Sequence, residues 1–175
     1  MPLDRVKLLY TSLISTLTRL RDILLDMNPD TLLPWGTIFA NHHNVRVLCD
    51  LCGLTWDEKQ EMTATVWGES GFDNNAICLN LSDGTFRSTS YQLIDVDIED
   101  LNEKGLTVTS IDAGLCQWND KYHGNEIDTF HAVNDSERAV RLMCSYWIAA
   151  RNNPAIKDEW VAHKNGRYKI MLGRV

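Results

Sequence analysis

Basic residues are the scarce charge in this chain. Across 175 residues, 17 Lys and Arg stand against 24 Asp and Glu, giving a net charge of −7 and a pI near 5.1. A protein held by bulk charge to nucleic acid or to an anionic surface needs clustered Lys and Arg, so this balance argues against both partners. Long apolar runs are missing as well. The longest uncharged stretch near the N-terminus, Leu8 to Thr18, is too short to span a bilayer. The same region lacks the basic start, apolar core and small-residue cleavage site of a signal peptide. Cysteine comes in an odd number, at positions 49, 52, 78, 116 and 144. Four of these sit in apolar or helical contexts, which fits reduced thiols made in a cytosol and not a disulfide framework. No phosphate-binding glycine loop, nucleophile elbow or His-Glu-X-X-His pattern occurs. No internal repeat, low-complexity segment or long linker divides the chain.

What is present is enough for one packed domain with a small appendage, since 44% of the residues are hydrophobic. Residues 4–27 read as one amphipathic helix, with Val6, Leu9, Leu13, Leu17, Leu20, Leu24 and Met27 forming a stripe at steps of three and four. Asn28-Pro29-Asp30 ends it. The expected organisation is therefore an N-terminal helix in residues 1–30, packing on its own domain or docking a partner, followed by a main domain in 31–175. Residues 31–44 read as a loop and 44–54 as a helix. Thr55 is a good N-cap for the next helix, which runs through Trp67 to Glu69 and stops at Gly71. Strands are expected near 85–96 and 106–111, after the Asp83-Gly84 turn signal and with a polar stretch between them. Helix resumes after Asn134 or Asp135, with Val140, Met143, Tyr146, Trp147 and Ala150 on one face. A last short helix covers 155–164 before the Asn165-Gly166 turn. Six Trp and five Tyr exceed what a minimal core needs; most are expected in the core, some along a groove.

The chemistry concentrates in two stretches, Trp67-Gly68-Glu69-Ser70-Gly71-Phe72 and Ser110-Ile111-Asp112-Ala113-Gly114-Leu115-Cys116-Gln117-Trp118-Asn119. Glu69 closes a helix among apolar neighbours. The negative helix end and the nearby Trp67 and Phe72 both disfavour its ionised form, as a general acid requires. Asp112 supplies a second carboxylate before a glycine turn and two amides. Cys49-X-X-Cys52 with His42-His43 offers zinc-type ligands, but the spacing fits no common finger and buried thiols are the simpler reading. His123 and His131 stand near the second stretch, as groove or surface residues.

These stretches resemble the lysozyme-like superfamily of lysozymes and lytic transglycosylases. Glu69-Ser70-Gly71-Phe72-Asp73-Asn74-Asn75-Ala76 is similar to its catalytic helix end, and Gly114-Leu115-Cys116-Gln117-Trp118-Asn119 to its Gly-aliphatic-X-Gln-X-Asn motif. Ser110-Ile111-Asp112-Ala113-Gly114 is similar to the Ser-X-Asp-X-Gly of animal-type lysozymes. The resemblance covers about residues 55–150. It implies an α+β lysozyme-like fold, a mainly helical body with an expanded β-lobe, since Glu69 and Asp112 stand 43 positions apart. It implies Glu69 as catalytic acid, Asp112 as nucleophile or ion stabiliser, and sugar contacts from Ser70, Gln117 and Asn119. Trp160 through Tyr168 is similar to the transglycosylase tail and implies a sugar contact from Asn165 or Tyr168. A rival register places Ser88-Thr89-Ser90-Tyr91 on the second motif, which would leave Asp83, Asp95 or Asp97 as the second carboxylate, or none.

The resemblance implies cleavage of the β-1,4 bond between N-acetylmuramic acid and N-acetylglucosamine in peptidoglycan glycan strands, without metal or organic cofactor. Two alternatives stand beside it: a lytic transglycosylase, which needs only the Glu and gives 1,6-anhydro products, and a non-catalytic structural or wall-binding protein with this fold. The missing signal peptide, the reduced cysteines and the acidity point to a bacteriophage protein made in the host cytoplasm, either a virion component or an endolysin. The N-terminal helix would suit docking in a tail or capsid.

Overall fold

Residues alternate in burial through Ala76–Leu81, with Ile77, Leu79 and Leu81 buried, the period-two pattern of a strand covered on one side. In the computed structural model, which describes residues 31–172, this strand, β1, is central to a four-stranded antiparallel sheet of order β2-β1-β3-β4. The others are β2 (Phe86–Ser90), β3 (Val108–Ala113) and β4 (Trp118–Asn119). The register aligns Ser88, Cys78, Asp112 and Asn119 in one row across all four strands, and Asn80 with Ser110 beside it. Paired residues share a face, so this face is polar. The other carries Ile77, Leu79, Ala113 and Trp118 into the core.

The helical body begins with α1 (Ile38–Leu51) and α2 (Trp56–Ser70). Short helices α3 (Ile94–Glu103), α4 (Asp120–His123) and α5 (Thr129–Asn134) decorate the sheet. α6 (Ser136–Ala149) runs through the centre, and its Val140, Met143, Cys144 and Trp147 are fully buried beside Leu48, Met62, Leu115 and Trp118. A 3-10 helix (Pro154–Glu159), α7 (Val161–Lys164) and α8 (Arg167–Met171) fold back over α2. The fold is α+β, with a helical body and a small antiparallel sheet.

Several boundaries differ from the sequence expectation. The loop expected over 31–44 is half helix, because α1 starts at Ile38, where the Thr37 side chain accepts the Ala40 N–H. Asn41 and Asn44, which read as loop residues, are buried amides. Asn41 Nδ2 donates to the Phe72 carbonyl (2.8 Å), and Asn44 bonds both backbone groups of Leu33. The strand expected over 85–96 stops at Ser90. Ile94 opens α3 instead, with Asp95 and Asp97 in the first turn, where they suit the positive helix end. β1 was not among the expected strands. The helix expected over 155–164 is split at Trp160, and α8 follows the expected turn at Asn165-Gly166. The amphipathic helix expected over 4–27 lies outside the described residues.

Candidate active site

Glu69 is placed by local rules and then by a close helix contact. Thr55 and Glu58 form a capping box at the start of α2, and Gly71, with φ 65°, closes its end by donating to the Trp67 carbonyl (2.9 Å). Gly68 lets α7 approach: a Cβ there would stand 2.7 Å from the Ala162 Cβ. That approach brings the Ala162 N–H onto Glu69 Oε1. Burial pushes the Glu69 carboxyl above its ordinary value. The Ala162 N–H and the Arg167 charge pull against this, and the Asp112 charge adds to it.

Asp112 sits in the opposite kind of environment. Asn80 Nδ2 donates to its Oδ2 (2.9 Å) and Asn119 Nδ2 to its Oδ1 (2.6 Å). Both amides also reach Ser110 Oγ at 3.2 Å. Each oxygen is thus an acceptor of an amide N–H, the pattern that suits a negative carboxylate. Asn119 is itself fixed, since its Oδ1 caps α4 through the Lys121 N–H. The turn after β3 requires glycine at 114, where φ is 72° and a Cβ would fall 2.0 Å from the Ala132 carbonyl oxygen. Gln117, also at positive φ (49°), clamps the turn by donating to the carbonyls of Ala76 and Gly114 (3.1 and 2.8 Å).

Glu69 and Asp112 line one groove of about 890 Å³, floored by the polar face of the sheet. Ser70, Gln117 and Asn119 line it too. Ser70 Oγ donates to the Val66 carbonyl within α2, so of the expected sugar contacts Gln117 and Asn119 are chiefly holding backbone and Asp112. The sequence reading missed the exposed aromatics on the groove, Phe86 (69% exposed) and Tyr122 (75%). It also missed Asn80, whose carboxylate contact depends on strand register, and Arg167. The Cys78 thiol lies on the same face; burial and the charges of Asp112 and Glu69 push it up to about 11. His123 lines the groove with Nε2 3.3 Å from Glu159 and Nδ1 near Glu126 (3.1 Å) and the Tyr146 hydroxyl (3.2 Å).

Other expected residues lie elsewhere. Asn165 and Tyr168 do not line the groove. Asn165 Oδ1 accepts the Arg167 N–H, and the Tyr168 ring stacks on His163 (4.5 Å, 7°). The tail therefore reaches the groove through Glu159, Trp160, Val161 and Arg167, and touches Glu69 through the Ala162 N–H. Of the rival carboxylates, Asp83 closes its own turn with Thr85, and Asp97 is bonded by Arg87 and Thr89. Neither these nor Asp95 lines the groove. His131 pairs locally with Asp128. Cys49 packs on Met62, and Cys52 lies near Arg141, with its thiol pushed up to about 11 chiefly by burial. Among the described residues no group of three His, Cys, Asp or Glu could hold a metal ion, and no helix is long and apolar enough to cross a membrane. A smaller hollow of about 420 Å³, lined by Ile38, Phe39, His42, Trp67 and Phe72, carries no carboxylate. Comparisons with protein-family profiles, curated proteins and solved structures find no match to this chain.

Proposed function

We propose that this chain is a peptidoglycan muramidase that cleaves the β-1,4 bond between N-acetylmuramic acid and N-acetylglucosamine. The observation that carries the reading is the pairing of two unlike carboxylates in one groove. Glu69 is desolvated and held toward its protonated form, and Asp112 takes amide donors on both oxygens. Glycosidic cleavage asks for this division of labour. Glu69 gives its proton to the glycosidic oxygen as the bond to the anomeric carbon breaks and the electron pair leaves with that oxygen. Asp112 faces the cationic sugar, as nucleophile or counter-charge. Water then adds at the anomeric carbon and returns a proton to Glu69. Phe86 and Tyr122 offer apolar faces for sugar rings at the groove.

A glycan-binding groove in an acidic chain would meet repulsion at an anionic cell wall. The reading therefore includes delivery by a bacteriophage particle or at host lysis. Digestion of purified peptidoglycan by the wild type and by Glu69→Gln, with mass spectrometry of the products, tests the proposal. Reducing-end muropeptides from the wild type are expected, with a rate loss of about 10²–10⁴ in the variant, the usual contribution of a general acid. Anhydro-muramic products would make the protein a lytic transglycosylase and remove the covalent role of Asp112. Equal rates in both proteins, or no product from either, would overturn the enzymatic reading of Glu69.

A further inference from the structure

Four carboxylates, Glu69, Asp73, Asp112 and Glu159, line the groove, and Arg167 is the only Lys or Arg among the described residues that line it. An anionic glycan would be repelled by such a surface unless one group reversed the sign locally.

Arg167 is built for that position. The Asn165-Gly166 turn sets its backbone: Asn165 Oδ1 accepts its N–H at 3.0 Å and Gly166 takes φ 74°. Its Nε stands 3.8 Å from where a Cβ on Gly68 would be, so the guanidinium lies against the last turn of α2, and its charge bears on Glu69. Every other described arginine is engaged. Arg87 bonds Asp97 and Asp100, Arg141 bonds Glu137, and Arg151 bonds Glu58. Arg46 reaches Gln60, and Arg138 the Glu126 carbonyl. Arg167 alone among them has a guanidinium with no hydrogen bond or ion pair to a described residue. A planar fork whose donors no described residue takes, exposed in a groove beside the acid, matches a carboxylate arriving with the substrate.

We propose that Arg167 recognises the carboxylate carried on the muramic sugar's arm, so that the groove selects anionic, muramic-acid-bearing glycan over neutral N-acetylglucosamine polymer. The assignment rests on the muramidase reading and names the substrate feature that the groove distinguishes. The carboxylate comes either from the lactyl arm itself or from the peptide attached to it.

Titration calorimetry on the full chain separates these cases. The parent is Glu69→Gln, in which turnover is suppressed. It is compared with the same chain carrying Arg167→Gln or Arg167→Lys. The ligands are a neutral chitooligosaccharide, a peptide-free N-acetylglucosamine–N-acetylmuramic acid oligomer, and its peptide-bearing counterpart. The parent is expected to prefer the carboxylate-bearing ligands. Arg167→Gln should lose roughly tenfold in affinity for them relative to the neutral one, about the value of one solvent-accessible charge-assisted contact. Arg167→Lys should retain part of the preference, as a point charge without the fork. The peptide is joined through the lactyl carboxyl as an amide, so loss confined to the peptide-free oligomer assigns the lactyl carboxylate. Loss confined to the peptide-bearing one assigns the peptide, and loss on both assigns a site that takes either carboxylate. Equal loss on all three ligands, or no loss, would overturn the assignment while leaving the glycan reading intact. A parent that binds none of the three would overturn the glycan reading, and this assignment with it.

Discussion

Glu69 is the residue on which the chemistry and the stability of the molecule pull in opposite directions. A carboxyl taken out of water and placed near Asp112 holds its proton more tightly folded than unfolded. The stability it contributes is therefore fully present below the unfolded value of about 4.3 and is lost as pH rises through its higher folded value. Glu69→Gln does not titrate, and its amide oxygen can still accept the Ala162 N–H. Relative to the wild type, the variant should thus gain stability as pH rises from the acid side to neutrality. Urea unfolding of both proteins at acid and neutral pH measures this. A stability difference independent of pH would mean that Glu69 is not desolvated as described. The same trade of stability for a poised proton is expected wherever an acid catalyst is buried.

At the scale of elements, α2 is the member that organises the site. Its first turn is capped by Thr55 and Glu58, and Glu58 also takes both ends of the Arg151 guanidinium fork, which holds its carboxyl down at about 2. One turn on, Glu61 accepts from Lys157 and from His163 Nε2; burial alone would raise its carboxyl, but these bonds hold it below the ordinary value. Glu69 then meets the Ala162 N–H. Three acidic side chains of one helix thus seat the segment from Arg151 to His163, and the last of them is the acid. The contact leaves no room at Gly68. Gly68→Ala should cost about 1–3 kcal/mol, the usual penalty of overpacking. It should also lower activity by moving the Ala162 N–H off Glu69. Denaturant midpoints together with peptidoglycan turnover check this. An alanine variant of wild-type stability and rate would show that the α2–α7 contact does not position the acid.

At the scale of the whole molecule, what could be read from the sequence was what is local. The ends of α2 were legible because Thr55, Glu58 and Gly71 act within one turn of themselves. Glu69, Asp112, Gln117 and Asn119 were legible because each stands in a short motif with a chemical reason. The start of α1 was not, since Asn41 and Asn44 look like loop residues until the backbone groups that they bond, at Phe72 and Leu33, are brought to them. β1 was missed because Ala-Ile-Cys-Leu-Asn-Leu becomes a strand only when partners on both sides, as far away as Ala113, pair with it. The same distance hid Asn80, Phe86 and Arg167, which join the groove through register and tail folding. It also misdirected Asn165 and Tyr168, which lie near the right segment but are not among the groove's lining residues.

The central claim is that two carboxylates of unlike environment work as a pair in this groove. The most direct test is the pH dependence of kcat/KM on a soluble muramic-acid glycan, for the wild type and for Asp112→Asn. The account predicts a wild-type rate that falls on the alkaline side above the ordinary carboxylate value of about 4.3 as Glu69 loses its proton. In Asp112→Asn the rate should drop by a factor on the order of 10²–10³. Its alkaline limb should move to lower pH, because the negative neighbour that helps hold the proton is gone. A wild-type rate with no alkaline limb, or a limb that Asp112→Asn leaves in place, would contradict it.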